Sequence, residues 1–380
     1  MRIAFCTDIY LPQLSGVADS IQLLSSQLKK RGHAVRIYAP RIRNSLNEPD
    51  VFRLLSYSVP GSKDGLVLVL PVGALKDMKR FRPDIIHTHT FSTLGFLALY
   101  ASWKLDVPLV GTDHTFPADY LHYIKLDYAF FRFIARKFAT WYYNHCSYVT
   151  APSRNMLDEL KTYGLRTPIE VISNPIPLNI FRQLDNRAEL KTKYNLHKKT
   201  ILMFGRIAVE KNLDFALDIF AETLKKIDAE LVIVGDGPYR SALEEKTRKM
   251  GLEKAVHFFG VLRGERLVEV INSADLYLIT STSDTQSMTT LQAMACGLPV
   301  VGAHAGGLPE YILENTTGFT VPPTDKRVFT EKVVELLKNA ALAEKFGEAA
   351  MRSVFSFLPE NIVKRFEKVY NEAVKRYAKS

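Results

Sequence analysis

The feature that most constrains the fold is an alternation of short apolar runs with helical stretches, which recurs in both halves of the 380-residue chain. Short apolar runs are typical of strands buried on both faces, as in parallel sheets, and the helical stretches between them supply the crossovers. The alternation therefore predicts an α/β protein with two doubly wound parallel sheets. The strand-like runs are Arg2–Thr7, Val35–Ala39, Ile85–His87, Leu109–Thr112, Tyr148–Ala151, Ile201–Gly205, Glu230–Val234, Val256–Gly260, Leu276–Ile279, Pro299–Ala303 and Gly318–Val321.

The length of the chain indicates two domains, because one ordinary core does not extend over so many residues. Two prolines interrupt both regular periods within Asn174-Pro175-Ile176-Pro177-Leu178-Asn179, and this segment is interpreted as the linker. The first domain is accordingly predicted at residues 1–176 and the second at residues 177–360. A final helix over residues 361–380 has apolar residues at helical spacing, so it either caps the second domain or packs on the first.

Two polar segments, about 80 residues apart, each follow a predicted strand. In the first, Phe204–Asn212, a glycine exit places Arg206 and Lys211 at the carboxyl end of the strand. In the second, Ser283–Pro299, small polar residues open into a helix whose first N–H groups face outwards. Each segment alone is compatible with a surface salt bridge or an ordinary helix start. Together, two cations and a helix N-terminus favour a site for a nucleotide diphosphate.

The same segments belong to a wider resemblance. The strings GRIAVEKN, VIVGDGP, HFFGVL and AMACGLPVV resemble the C-terminal half of retaining GT-B glycosyltransferases of glycosyltransferase family 4. The resemblance continues in the first half through Met1–Phe5, Ser15–Val17, Asp84–His89 and Gly111–Thr115, so it covers essentially the whole chain. The Thr-Gln pair after Asp284, with the His-Thr and Asp-Tyr…His-Tyr strings, is most similar to monoglucosyldiacylglycerol synthases.

The resemblance implies a GT-B fold, in which two Rossmann-like domains face an interdomain cleft and the last helix returns to the first domain. It also implies a retaining hexosyltransferase that moves glucose or galactose from a UDP-sugar to a membrane lipid such as diacylglycerol. A mannosyl- or hexosyltransferase acting on a soluble or polyprenyl-linked acceptor is the alternative. A dinucleotide-dependent oxidoreductase is a remote one, because Gly235-Asp236-Gly237 lacks the third glycine of the G-x-G-x-x-G fingerprint.

The predicted site residues follow from both lines of reasoning. Departure of a diphosphate requires preorganised positive charge, for which Arg206 and Lys211 are the first choice. The resemblance places His114 on the donor sugar and adds Asp284 as the fourth catalytic residue. The expected donor-binding residues are Gly16, Gly205, Val261, Ser287, Met288, Thr289 and Gln292.

Two positions depart from the family pattern, which has a pair of glutamates eight positions apart. Here Asp284 stands at the position that contacts the sugar hydroxyls, and Gln292 stands at the position that contacts the nucleotide ribose. The aspartate keeps the charge on a side chain one methylene shorter. The glutamine still hydrogen-bonds a ribose diol, but without the added strength of an ionised acceptor.

Further histidines and carboxylates follow the strands of the first half. Asp119 and His122 are predicted to position an acceptor hydroxyl, although structural hydrogen bonding explains them equally well. His87 and His89 lie two apart, as on one face of a strand, but no third metal ligand is evident nearby. No metal and no cofactor are therefore expected, in agreement with the resemblance, and the UDP-sugar is a substrate.

The net charge of +10 is concentrated in the first half, with +7 over residues 1–180 and +3 over residues 181–380. An anionic partner is therefore expected, and no nucleic-acid-binding motif is visible. No apolar stretch is long enough for a transmembrane helix, and no secretory signal precedes the first strand. The three cysteines are far apart without metal spacing and are interpreted as buried free thiols.

One aromatic and basic stretch suggests where an anionic membrane would bind. Residues 120–143 contain ten aromatic and four basic side chains, a composition typical of segments in a membrane interface. A second basic cluster is formed by Lys76, Lys79, Arg80 and Arg82. A core helix with a solvated charged face is the other interpretation. The expected location is cytoplasmic, peripheral on the inner face of the cell membrane, and the oligomeric state is left open.

Overall fold

The structure is a computed structural model that describes residues 1–13, 15–58, 67–115 and 128–379. The chain forms two compact units. Unit 1 comprises Met1–Pro175 together with Pro359–Ser380, and unit 2 comprises Ile176–Leu358. Each unit is a parallel sheet flanked by helices, which confirms the predicted α/β class with two Rossmann-like domains.

Unit 1 contains a seven-stranded sheet in the order β3-β2-β1-β6-β7-β8-β9, in which all neighbouring strands are parallel. A separate antiparallel pair, β4 and β5, precedes α2. Its elements in chain order are β1 (Arg2–Cys6), α1 (Gly16–Lys30), β2 (Ala34–Pro40), β3 (Val51–Leu54), β4 (Ser56–Ser58), β5 (Val67–Val69), α2 (Ala74–Phe81), β6 (Ile85–Thr88), α3 (Thr93–Leu105), β7 (Leu109–Thr112), α4 (Ala129–Tyr143), β8 (Tyr148–Ala151), α5 (Arg154–Thr162) and β9 (Ile169–Val171).

Unit 2 contains a six-stranded parallel sheet in the order β12-β11-β10-β13-β14-β15. Except in the edge strand β12, its strand residues are mostly apolar and buried, because helices cover both faces of a parallel sheet. Its elements are α6 (Arg187–Lys193), β10 (Lys199–Phe204), α7 (Leu213–Leu224), β11 (Ala229–Val234), α8 (Arg240–Lys249), β12 (Val256–Gly260), α9 (Gly264–Ser273), β13 (Leu276–Ile279), α10 (Met288–Ala295), β14 (Val300–Ala303), β15 (Gly318–Val321), α11 (Lys326–Lys338) and α12 (Ala340–Ser353).

The last helix, α13 (Pro359–Tyr377), belongs to unit 1. It begins two residues earlier than the sequence pattern indicates, because Pro359 occupies its first turn, where the missing N–H of a proline costs nothing. Its apolar side packs in one core cluster with α1 and β1. Its polar side is fixed by two ion pairs, Arg31–Glu367 at 2.7 Å and Arg365–Glu170 at 2.8 Å.

The order of the strands places a switch point in each sheet, where chain connections leave in opposite directions. In unit 1 the switch lies between β1 and β6, and in unit 2 it lies between β10 and β13. Ligands of doubly wound sheets bind outside the carboxyl ends of the strands at such points. The segments after these four strands are therefore the first place to look for a site.

Two composition-based expectations are tested by the described residues. All three cysteines, Cys6, Cys146 and Cys296, are buried and free, as predicted. Among the helices that the structure describes, none is long and apolar enough to cross a membrane.

Candidate functional site

The carboxyl edge of the unit 2 sheet brings together most of the predicted donor residues. Gly205 and Arg206 follow β10, and Asp284 lies in the loop that follows β13, so both segments start from the two switch-point strands. Lys211 lies in the short helical turn between β10 and α7. The sheet topology thus explains why residues far apart in sequence meet at one edge.

Lys211 and Asp284, predicted to act separately on the donor, form an ion pair. The ammonium Nζ lies 3.0 Å from each carboxylate oxygen, and only 27% and 13% of the two side chains are exposed. The backbone of this turn is held as well, because the hydroxyl of Thr280 donates to the carbonyls of Lys211 and Asn212 at 3.1 and 3.0 Å. Contacts within the protein therefore position Lys211 at the strand ends.

The backbone of Asp284 is positioned by a glycine pair after β14. The Gly307 N–H donates to the Asp284 carbonyl at 2.8 Å. Gly306 has a φ of +55°, and a Cβ on it would lie 2.4 Å from the same carbonyl oxygen, so only glycine fits here. This glycine pair was not among the predicted site residues, although two consecutive glycines follow a predicted strand in the sequence.

The Gly235-Asp236-Gly237 string has a structural explanation. Gly235 has a φ of +138°, and a Cβ there would lie 1.8 Å from the Gly205 carbonyl oxygen. A Cβ on Gly237 would lie 2.3 Å from the Ile207 carbonyl oxygen. These glycines let the end of β11 abut the loop that contains Arg206, so the string needs no dinucleotide to account for it.

The N-terminus of α10 closes one side of this edge. Ser287 caps the helix by accepting from the Thr290 N–H at 3.2 Å. Its hydroxyl also lies 3.0 Å from that of Thr289, which lies 2.7 Å from the hydroxyl of Tyr277 on β13. The amides of Met288 and Thr289 belong to the first helical turn, whose N–H groups have no acceptor within the helix.

The remaining donor residues of unit 2 lie beside this contact network or beyond it. A Cβ on Gly205 would lie 3.4 Å from the Thr289 methyl carbon, so the β10 exit and α10 are neighbours. Gln292 lies one turn into α10 and is half-buried. Val261 follows β12 at the margin of the sheet and is 42% exposed.

The carboxyl edge of the unit 1 sheet holds three buried histidines. His89 Nδ1 lies 3.0 Å from His114 Nε2, and the ring of His89 lies 4.0 Å from that of His87 between centroids. His87 in turn contacts the hydroxyls of Tyr370 on α13 at 2.9 Å and of Thr112 at 2.7 Å. Sequence reasoning missed the pairing of His89 with His114, because the two residues are 25 positions apart and meet only through neighbouring strands.

Burial sets the protonation of this edge. It lowers the pKa of His114 to about 4 and holds the pKa values of His87 and His89 well below their ordinary value. It also raises the pKa of Asp113, beside His114, to about 7. The imidazoles are therefore neutral near neutral pH, so each ring offers one N–H donor and one acceptor nitrogen.

Of the other site residues predicted in the first half, the structure describes Gly16 but not Asp119 or His122. Gly16 is exposed and opens α1, whose cap Ser15 accepts from the Val17 N–H at 3.2 Å. Asp119 and His122 lie outside the described residues. Within the parts of the chain that the structure describes, no three His, Cys, Asp or Glu side chains are grouped to hold a metal ion.

Comparison with known sequences decides the family. The family described as Glycosyltransferase Family 4 matches residues 14–180, and that described as Glycosyl transferases group 1 matches residues 186–353. The α-monoglucosyldiacylglycerol synthase of Streptococcus pneumoniae is 33% identical over 314 residues, which are 80% of this chain and 71% of that protein. The chain belongs to the group 1/family 4 glycosyltransferases. The predicted family and the prediction of a glycosyltransferase are both confirmed.

Other relatives of this glycosyltransferase include one with the same named activity and one with a different named activity. The α-monoglucosyldiacylglycerol synthase of Acholeplasma laidlawii is 26% identical, with 98% of both chains covered. A GDP-mannose-dependent α-mannosyltransferase of Corynebacterium glutamicum is 28% identical over 93% of this chain and 84% of that protein.

Solved structures agree with the fold of this glycosyltransferase. A sucrose-phosphate synthase of Thermosynechococcus elongatus has a TM-score of 0.81 at 18% identity, with all of both chains covered. Anabaena HepE in complex with UDP-glucose has a TM-score of 0.79 at 18% identity, covering 97% of this chain and 98% of that one. These likenesses confirm the predicted GT-B class.

Proposed function

We propose that this glycosyltransferase moves a hexose, glucose or galactose, from a UDP-sugar to a membrane lipid such as diacylglycerol, with retention of the anomeric configuration. The observation that carries the proposal is the 33% identity to an α-monoglucosyldiacylglycerol synthase over 80% of the chain. The aromatic and basic surface of unit 1, described below, supports the lipid acceptor.

The donor chemistry is assigned to the edge of the unit 2 sheet. As the acceptor oxygen bonds to C1 of the sugar, UDP departs with the electrons of the broken C1–O bond, and its leaving phosphate oxygen takes the proton of the acceptor hydroxyl. Arg206, the Lys211 ammonium and the first amides of α10 are the groups that would stabilise the growing charge on the diphosphate. Asp284 is proposed to serve two purposes, since it fixes Lys211 and accepts from the sugar hydroxyls. This scheme requires no metal.

The remaining roles follow the family pattern and are likewise proposals. His114 contacts the donor sugar, and its neutral ring is suited to hydrogen bonding a hydroxyl without adding charge. Gln292 contacts the ribose, whereas Gly16, Gly205 and Val261 let the backbone approach the donor. Asp119 and His122 remain the proposed acceptor residues.

Two surfaces of unit 1 are proposed to bind an anionic membrane on the cytoplasmic side. The only acid of α2, Asp77, is turned inwards onto Arg36 at 2.8 Å. The three cations of α2, Lys76, Lys79 and Arg80, therefore face outwards, and they share a surface depression with Arg2 and with Arg82, which follows the helix. On α4, apolar side chains such as Phe130 and Trp141 are 67% and 47% exposed, as expected of a helix that lies in a membrane interface.

A second candidate is mannosyl transfer to a soluble or polyprenyl-linked acceptor. The Corynebacterium glutamicum relative favours it, because its name specifies GDP-mannose and the match extends over 93% of this chain.

One assay separates the two candidates. The purified protein is incubated with radiolabelled UDP-glucose, UDP-galactose or GDP-mannose and a lipid extract, and the label that enters the organic phase is measured. Label from a UDP-sugar that comigrates with monohexosyldiacylglycerol supports the proposal. Label from GDP-mannose alone, or label found only in water-soluble glycans, supports the second candidate and refutes the first.

A further inference from the structure

An apolar groove lies on the surface of unit 1 between the outer faces of α3 and α4. Its described lining includes two hydroxyl residues, Ser92 and Thr93. The other described lining residues are apolar or aromatic: Pro71, Phe91, Phe96, Leu97, Tyr100 and Phe138. The residues from α3 follow the spacing i, i+3, i+4 and i+7, which places them in one stripe along two helical turns. The groove is therefore an elongated channel, about 12 Å from Ser92 to Tyr100.

The lining exposes hydrocarbon that the protein itself does not cover. Phe96, Tyr100 and Phe138 are 40%, 49% and 41% exposed, and none of the described residues that line the groove is charged. The aromatic wall is nevertheless built in a fixed arrangement, because Phe138 lies 5.9 Å from Phe96 and stacks on Trp141 at 5.8 Å between ring centroids. Covering such a surface with apolar material is favourable, because it removes hydrocarbon from water.

One end of the groove continues into the carboxyl edge of the unit 1 sheet. Ser92 donates to the carboxylate of Asp8, which also accepts from the Thr90 hydroxyl at 2.7 Å and from the Leu94 N–H at 3.3 Å. His89, the partner of His114, lies just before this segment. The groove thus has a polar end beside the proposed site and an apolar body that leads away from it.

We propose that this groove holds one fatty-acyl chain of the lipid acceptor, with the glycerol part of that lipid at the polar end. The inference rests on the proposed function, because only a lipid acceptor supplies both parts. The described lining, which is uncharged, suits a hydrocarbon chain better than a phosphate headgroup, and the neighbouring hydroxyls and histidines suit a glycerol hydroxyl. The chain then orients the hydroxyl that reacts.

The first test uses a charge inside the groove and a matched charge outside it. Phe96→Glu places a carboxylate in the lining, and Leu46→Glu places one in the loop after β2, at a side chain that is 70% exposed and does not line the groove. Transfer from UDP-glucose is measured with dioctanoylglycerol and with dibutyrylglycerol, both presented at a fixed mole fraction in mixed micelles. The short-chain acceptor serves as the folding control for each variant.

Phe96→Glu is expected to lower kcat/KM for dioctanoylglycerol at least about tenfold while changing that for dibutyrylglycerol little. Leu46→Glu is expected to leave the ratio of the two acceptors unchanged. Equal effects of the two variants, or an equal loss with both acceptors in Phe96→Glu, would overturn the groove but leave the proposed function standing. If the wild-type protein glycosylates neither acylglycerol, the proposed function fails and the groove assignment fails with it.

The second test needs no turnover, since the chain contains two tryptophans, Trp103 and Trp141. Trp103→Phe leaves Trp141, beside the groove, as the only tryptophan, and Trp141→Phe leaves Trp103. Trp103 lies 5.9 Å from Tyr100 and Trp141 lies 5.8 Å from Phe138 between ring centroids, so each tryptophan flanks the groove. Dioctanoylglycerol with brominated chains, added below the concentration at which it aggregates, should quench each of them saturably. Phe96→Glu in either single-tryptophan background should abolish the quenching. Quenching that does not saturate, or that Phe96→Glu leaves unchanged, would indicate general surface binding and contradict the groove.

Discussion

At the scale of single residues, Lys211 and Arg206 are assigned the largest part of catalysis. Replacement of either residue by alanine should lower kcat at least ~100-fold, because each removes a cation from the charge that develops on the diphosphate. The measurement is steady-state transfer to diacylglycerol at saturating UDP-sugar. Lys225→Ala is the matched control, since Lys225 is an exposed lysine of the same unit whose ion pair with Glu222 lies at the end of α7.

Near-normal kcat in both alanine variants would exclude the assigned roles. A loss in Lys211→Ala alone would leave Arg206 as a structural residue of the loop after β10.

Gln292 provides a second prediction at this scale, in the opposite direction. Gln292→Glu should tighten binding of UDP by roughly 1–2 kcal/mol, because a carboxylate accepts from ribose hydroxyls in a charge-assisted way at this half-buried position. Calorimetric titration with UDP measures the change. Gln183→Glu adds the same charge at an exposed side chain near Gly297, beyond the C-terminal end of α10, and should have no effect. Unchanged or weaker affinity in Gln292→Glu would place the side chain away from the ribose.

At the scale of the elements, α2 supplies a charge-based prediction. Replacement of Lys76, Lys79, Arg80 and Arg82 together by glutamine should weaken binding to phosphatidylglycerol vesicles and leave UDP binding intact. Attraction near an anionic surface amounts to roughly 1 kcal/mol per cation and is screened over about a Debye length. Sedimentation with vesicles at low and high salt measures it.

The control for this variant removes the same charge from unit 2, through glutamine at four exposed positions: Lys226, Arg248, Lys254 and Lys338. Equal sedimentation of the two quadruple variants, or equal binding of the wild type to neutral and anionic vesicles, would reject α2 as a membrane contact.

The strands and helices also show which parts of the fold can be predicted from the sequence. Strands buried on both faces, such as β10 and β13, have apolar runs that predict them within one or two residues. The short strands β3, β4, β5 and β9 were missed, since three or four partly exposed residues leave no periodic signal and their pairing comes from tertiary contacts. The aromatic and basic composition of α4 was recognised in the sequence, although the groove that this helix forms with α3 was not, because the groove depends on two helices packing together.

The individual residues of the site could be predicted from the sequence, but the contacts between them could not. Arg206, Lys211 and Asp284 could be found because each follows a strand in a recognisable string. The ion pair between Lys211 and Asp284 could not, since it joins residues 73 positions apart through the β10–β13 switch. The contact of His89 with His114 likewise depends on the register of β6 and β7. The assigned roles of all these residues remain predictions.

At the scale of the whole molecule, the buried groups of unit 1 make stability depend on pH. His114 has a pKa of about 4 in the folded protein against an ordinary value of 6.5, so the unfolded chain binds its proton more readily in acid. Between pH 7 and pH 5 this difference lowers the free energy of unfolding by about 2 kcal/mol. His87 and His89 act in the same direction.

Asp113 acts in the opposite direction. Its pKa of about 7 lies above the ordinary value of 3.8, so the folded protein holds a proton that the unfolded chain releases, and acid favours folding by about 2 kcal/mol over the same interval. Asp113→Asn removes this compensation. The thermal midpoint of Asp113→Asn should therefore fall more steeply from pH 7 to pH 5 than that of the wild type. Asp158→Asn, at an exposed residue of α5, should follow the wild type, and parallel curves for all three proteins would refute the assignment.

The most direct test of the proposed reaction is the structure of its product. The protein is incubated with UDP-glucose labelled with ¹³C at C1 and with diacylglycerol in mixed micelles, and the organic phase is analysed by NMR spectroscopy. One α-linked glucosyldiacylglycerol is the expected product, which would establish the donor, the lipid acceptor and retention together. A β-linked product would contradict retention, and release of UDP without any labelled lipid would contradict the lipid acceptor.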